Sequence, residues 1–207
     1  MDQPVVRAVE RWGLLAGVTG VVANVLLIAL YAVAIPGNHA YGWTGPANDV
    51  IGGIVSTGAM IPMAYALRRL AGGGRAVWVA THVAVAGMAL LMVLSLLLVL
   101  RLIPFSVQGA GAVPAIVAMF AWLGLVGRAG LATGGLPRGL ARWAVGMALA
   151  VGAGMVLVGI SLLLPWGSIP QYVLGGAGLF CAAPAFLAYP VWLIVLSSRI
   201  RGHQPPS

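Results

Sequence analysis

The chain is predicted to fold as an all-α, polytopic transmembrane helix bundle with six spans, forming a single domain over residues 1–207, with both termini cytoplasmic. Three observations predict this. Hydrophobic residues make up 61% of the sequence and charged ones only 7%, whereas a soluble domain carries about a quarter charged residues. The apolar residues are gathered into six runs, each about the ~20 residues a helix needs to cross a hydrocarbon core. The basic residues fall between these runs in alternation, as topology determinants do.

The first run covers residues 13–35 and follows Arg7 and Arg11. Ala32-Val33-Ala34 has the small-x-small form of a leader cleavage site. The run is nevertheless far longer than the ~7–15 apolar residues of a secretory leader, so it reads as a retained span. The others cover 46–67, 76–100, 108–125, 140–164 and 172–196. Between them lie segments rich in Gly and Pro, such as Gly72-Gly73-Gly74, Ile103-Pro104, Gly134-Gly135-Leu136-Pro137 and Pro165-Trp166-Gly167, where helices are expected to end. A β-barrel would need polarity alternating over ~10 residues, and these runs are apolar all round.

Short loops rich in Lys and Arg stay cytoplasmic. Arg7 and Arg11 precede span one, Arg68, Arg69 and Arg75 join spans two and three, Arg128, Arg138 and Arg142 join four and five, and Arg199 and Arg201 follow span six. All of these alternate onto one side, and the opposite loops hold only Arg101. Trp12, Trp78, Trp143 and Trp192 are expected at the inner interface, and Trp43, Trp166 and Tyr172 at the outer one. The predicted location is the cell inner (plasma) membrane, as a multi-pass integral membrane protein in contact with the lipid bilayer.

The 30 glycines have a physical use, because helices in lipid associate through close backbone approach rather than a hydrophobic drive. Gly13, Gly17, Gly20 and Asn24 share one face of span one, with Tyr31 further along it, while Val22, Leu26 and Ala29 point elsewhere. Ala148 and Gly152 in span five, and Gly178 and Ala182 in span six, have the same small-xxx-small spacing. Pro62, Pro184 and Pro190 fall inside spans two and six, where each removes a backbone donor.

Several function classes are excluded. The net charge of +8 comes from eleven scattered arginines at the edges of apolar runs, so no nucleic-acid partner is expected. The single cysteine, Cys181, permits no internal disulfide. His39, His82 and His203 fall in different places, so no metal site is expected. The absence of lysine excludes a retinal Schiff base, no phosphate-binding Gly-rich loop ends in Lys-Ser/Thr, and no cofactor is implied.

Gly127-Arg128-Ala129-Gly130, continuing through Gly134-Gly135-Leu136-Pro137-Arg138 to Trp143, resembles the fourth-to-fifth helix connection of a bacterial multi-span membrane-protein family known only as a domain of unknown function. Gly45-Pro46-Ala47-Asn48-Asp49 entering span two and Ala66-Leu67-Arg68-Arg69-Leu70 leaving it are similar to it as well. The resemblance touches about a third of the chain and implies no activity.

Polar residues inside spans are costly and mark candidate sites. At ~1.5 Å per residue, Asn24, Ser56, Thr57 and His82 are expected roughly 10–17 Å from the inner boundary, in one layer. Such a layer either grips a ligand, holds a Ser/His pair, or satisfies its own hydrogen bonds. Asp49 is the only acid beyond the N-terminal segment, and Asp49, Gly53, Ser56 and Met60 form one helical stripe. His39, Trp43, Asn48, Arg101 and Gln108 are expected on the same outer side. Asp49 is therefore expected either at the mouth of a cavity, as a helix cap, or paired with Arg101. The candidate binding residues are Asn24, His39, Trp43, Asn48, Asp49, Ser56, His82 and Arg101, and the candidate catalytic residue is Asp49. Three functions stay open. One is a bundle that binds or transports a small lipophilic molecule. Another is an enzyme acting on an isoprenoid or polyketide-like substrate with Asp49 as acid or base. The third is an accessory subunit that contacts a membrane partner or a second copy of itself.

Overall fold

A computed structural model describes residues 3–34 and 43–202. Every regular element among them is helical. Helix α1 (Gln3–Ala29) runs into a π-helical turn at Leu30–Ala34. The second long helix has three parts: α2 (Thr44–Asn48), a π-helix at Asp49–Ser56, and α3 (Thr57–Ala71). Then follow α4 (Arg75–Val99), α5 (Phe105–Thr133), α6 (Arg138–Ser161) and α7 (Ile169–Arg199), the last ending in a 3₁₀ turn at Ile200–Gly202. Among the described residues, six helices are long and apolar enough to cross a membrane. They overrun the apolar runs in places: α1 starts at Gln3 and α5 continues to Thr133. Helical hydrogen bonding does not stop where hydrophobicity does, and both extensions are held by packing, with Val5 and Val9 buried in α1 and Val126 in α5.

The helix ends follow from local chemistry. Gly134 ends α5 in the left-handed conformation (φ 71°), and Gly72 and Gly73, with φ of 66° and 104°, turn the chain between α3 and α4. Helix α4 closes differently. The Leu102 N–H donates to the Leu97 carbonyl (2.8 Å) and the Arg101 N–H to that of Leu98 (2.9 Å). This is the Schellman pattern, and Arg101 occupies its left-handed position with φ 59°, where glycine is usual. Ser168 caps α7 by accepting the Gln171 N–H at 3.4 Å.

Each long helix packs on its neighbours in sequence, and α7 closes the ring onto α1. With short connections between antiparallel helices, ten arginines gather at one end of the bundle and Arg101 alone stands at the other. At the arginine end the Arg201 guanidinium donates to both Glu10 carboxylate oxygens (2.7 and 2.8 Å), tying α1 to the end of α7. The core holds Met63, Leu67, Met88, Leu123, Leu136, Leu193, Leu196 and the indoles of Trp122 and Trp192. The outward face is apolar too: Phe180 is 80% exposed and Leu149 68%. A surface of that kind suits hydrocarbon rather than water.

Trp192, expected in an interfacial belt, is instead buried. Its Nε1 donates to the Leu140 carbonyl at 2.9 Å and its ring stacks on Tyr189 (centroids 6.1 Å apart). It stands at the arginine end, since Leu140 opens α6, but faces inward, where an indole N–H needs a protein acceptor.

The glycine face of α1 packs as expected. A Cβ on Gly17 would lie 2.6 Å from Ile194 Cγ1 and 2.8 Å from the Pro190 carbonyl oxygen, and one on Gly20 would lie 2.9 Å from Pro190 Cγ. Val22 points outward. Between α6 and α7 the close approach is Gly154 on Gly178, where added Cβ atoms would come within 2.5 and 2.6 Å of the opposing carbonyl oxygens. Gly152, paired with Ala148 in the expected motif, faces open space. The two-residue step from Gly152 to Gly154 turns the helix by about 200°, so only one of the two can face α7.

Candidate functional site

Two adjacent glycines, Gly52 and Gly53, let the second long helix run close between α1 and α4. A Cβ on Gly52 would lie 2.7 Å from Ala23 Cβ, and one on Gly53 would collide with Ser95. This stretch is π-helical, a wider winding that appears mostly as short insertions and often at functional sites. At its end the Thr57 backbone N–H and hydroxyl both donate to the Gly52 carbonyl, the hydroxyl at 2.8 Å. Beside the π-helix lies a cavity of about 310 Å³. That is near the lower bound of the ~300–1,000 Å³ typical of ligand pockets.

Five of the six long helices line the cavity, and α6 does not. Gly45, Asn48, Tyr31, Phe105 and Gln108 mark its reach toward the end of the bundle opposite the arginines. Met60, Met119, Phe186, Tyr189 and Leu193 line its deeper part. Pro190 also lines it, on the α7 face that meets Gly17 and Gly20. Asp49 sits in the wall with only 5% of its surface exposed. The helix begins at Thr44, a turn before Asp49, so the carboxylate is not at the N-cap position, where Trp43 stands without a side-chain cap bond.

Ser56, Thr57 and Asn24 each turn a donor onto a backbone carbonyl. Ser56 Oγ donates to the Ala16 carbonyl (2.8 Å) and Asn24 Nδ2 to the Leu187 carbonyl (3.1 Å), in the turn that precedes Pro190. The Tyr189 hydroxyl points at Met60 Sδ (3.7 Å).

Of the candidate residues, Asn24, Asn48, Asp49 and Ser56 therefore meet around one cavity, together with Thr57 and Gln108. His82 does not join them. Its ring lies against Trp78 (centroids 4.2 Å apart) and Tyr65 (5.6 Å), with Nδ1 2.8 Å from the Trp78 carbonyl oxygen. One helical layer holds side chains that point in different directions, and on α4 it is Leu91 and Ser95 that face the cavity. Among the described residues there is thus no Ser/His pair, since the Ser56 hydroxyl donates to a carbonyl and His82 is not in the cavity lining. Trp43, 75% exposed, and Arg101, also exposed, stand outside the lining. His39 and His203 lie outside the described residues. No cluster of three metal-ligating side chains occurs among the described residues.

Compared with family models, curated proteins and solved structures, the chain finds no match. Function must be argued from the cavity itself. Sequence reasoning missed Ser95 and Tyr189, although each carried a signal. Ser95 is a lone hydroxyl in a leucine-rich run, buried at 1% exposure, and Tyr189 directly precedes Pro190. It also missed the Glu10–Arg201 clamp, because residues so far apart in sequence meet only when the ring closes.

Proposed function

We propose that this chain is a six-span inner-membrane protein, both of whose ends are cytoplasmic, that binds a small lipophilic molecule in the cavity beside Asp49. The observation that carries the reading is a cavity lined mainly by apolar side chains with a single buried carboxylate in its wall. Ligand pockets combine apolar lining with a few placed polar groups in this way. The space equals about ten waters at ~30 Å³ each, which suits one compact hydrocarbon skeleton rather than a phospholipid. The arginine asymmetry supports this orientation, in which the Asp49 end of the cavity faces outward. Asp49 in the cavity wall is also what an enzyme reading needs, as acid or base toward a lipophilic substrate, and the same experiment separates the two.

Protein purified gently from its membrane is analysed by mass spectrometry for co-purifying small molecules. One retained compound that Ala112→Phe, placed in the cavity lining, expels is the expected result. Chemical change of that compound on incubation makes the protein an enzyme. No compound enriched over the Ala112→Phe variant overturns the binding reading. Orientation is tested separately: a periplasm-active reporter fused after Gly167 should be active and one after Gly73 silent, and the reverse pattern refutes the assignment.

A further inference from the structure

Resting on that binding reading, we infer that the ligand enters the cavity sideways from the bilayer, through a wedge that opens between α5 and α6 in the half of the bundle away from the arginines. The wedge follows from what each helix packs against along its length. In the half nearer the arginines α5 and α6 touch closely: a Cβ on Gly127 would lie 2.8 Å from the Ala141 carbonyl oxygen, and one on Gly124 would lie 2.8 Å from Ala148 Cβ. Helical spacing carries the same face of α5 on through Phe120, Val117 and Val113. Phe120 is only 3% exposed, whereas Val117 is 39% and Val113 46% exposed, so α6 has parted from α5 within a turn. The matching face of α6 runs from Ala141 and Ala148 to Gly152 and Gly159, and no described atom stands within 4 Å of a Cβ at either glycine.

Beyond the parting each helix follows a different neighbour. Helix α6 stays on α7, with Gly154 on Gly178, Val158 against the same glycine and Ser161 beside Gly175. Helix α5 stays on α4, where a Cβ on Gly87 would lie 3.2 Å from Ala115 Cα. Helices α5 and α7 do not pack on each other. Both nevertheless line the cavity, α5 through Ala112, Ile116 and Met119 and α7 through Phe186, and among the described residues none of α6 joins the lining. Ala112 and Ile116 directly precede Val113 and Val117 in sequence, so the wedge runs onto the cavity around one edge of α5. A lipophilic molecule concentrates in hydrocarbon before it meets the protein, and this path keeps its apolar surface out of water throughout. Narrowing the wedge raises the barrier to entry and alters neither end state, so association and release must slow by one common factor.

The test uses N-phenyl-1-naphthylamine, a neutral and compact lipophile, with the full-length protein in lipid nanodiscs. Energy transfer from the tryptophans to the probe is followed by stopped flow, and the trace of Ala112→Phe, whose cavity is filled, is subtracted to remove probe dissolved in lipid. The double substitution Val117→Phe with Gly152→Phe narrows the wedge from both sides and leaves the cavity lining untouched. Both rates are expected to fall together by about tenfold, with the equilibrium affinity unchanged. Val93→Phe, on the exposed face of α4, should change neither. Unchanged rates in the double variant, with the Ala112→Phe difference intact, overturn the inference and leave the binding reading standing: the ligand then uses the end of the bundle, or the wedge seats a second copy. Slower association with unaltered release also overturns it, because the substitutions then act on the site and not on the route. No signal above Ala112→Phe counts against both. If the double variant does not fold, Gly152→Phe alone must slow both rates by at least about twofold, or the inference fails.

Discussion

Replacing Gly17 by alanine adds one methyl group where α1 crosses α7, and the structure says how badly it fits. The new Cβ would stand 2.6 Å from Ile194 Cγ1, 2.8 Å from the Pro190 carbonyl oxygen and 3.1 Å from the Ile194 nitrogen. Isoleucine can rotate, but the carbonyl and the nitrogen are backbone and move only if α7 moves. Overpacking of this kind costs about 1–3 kcal/mol, and the backbone contacts put Gly17→Ala at about 2 kcal/mol. Helix propensity offsets part of this, since alanine is better than glycine by about 0.5–1 kcal/mol. Gly152→Ala isolates that term, because nothing lies within 4 Å of its Cβ position. A chain of this size shifts its melting temperature by about 2–4 °C per kcal/mol. The net expectation is therefore a fall of about 2–6 °C for Gly17→Ala and a small rise for Gly152→Ala. Thermal melting of the purified protein in one detergent, followed by loss of the monodisperse size-exclusion peak, measures both. Equal melting temperatures for the two variants would refute the claim that the α1 glycine face admits the backbone of α7.

Two further predictions rest on single residues. Arg101 holds φ 59° at the end of α4, a conformation costing a non-glycine residue about 1–2 kcal/mol. Arg101→Gly is expected to raise the melting temperature by a few degrees, about 1 kcal/mol net of the entropy glycine loses on folding, and a fall would mean that the guanidinium contributes more than the strain removes. Trp192→Phe keeps the ring stacked on Tyr189 but removes the bond to the Leu140 carbonyl. It should lower stability by about 1–2 kcal/mol, read by the same melting assay, and an unchanged melting temperature would show that water or a rearranged neighbour replaces the indole.

The sequence by itself determined the class of fold, the number of long apolar helices, the ends at Gly72, Gly73 and Gly134, and the packing face of α1. Each depends on residues within a few turns of one another: apolar run length, glycine at a left-handed position, small residues recurring at helical spacing. It also pointed to the stripe through Asp49, Gly53, Ser56 and Met60, because helical periodicity places them on one side whatever surrounds them. Tertiary structure decided the rest. Which of Gly152 and Gly154 meets α7, whether Trp192 faces lipid or core, and whether Ser95 or His82 of α4 joins Asn24 and Ser56 all depend on how each helix is rotated in the ring. A helix that is apolar all round carries no amphipathic stripe to declare that rotation, because lipid and protein interior solvate its side chains alike. The cavity is the sharpest case, since it exists only where five separately spaced helices leave a gap, and Ser56 and Asn24 reach the Ala16 and Leu187 carbonyls only when the helices have packed.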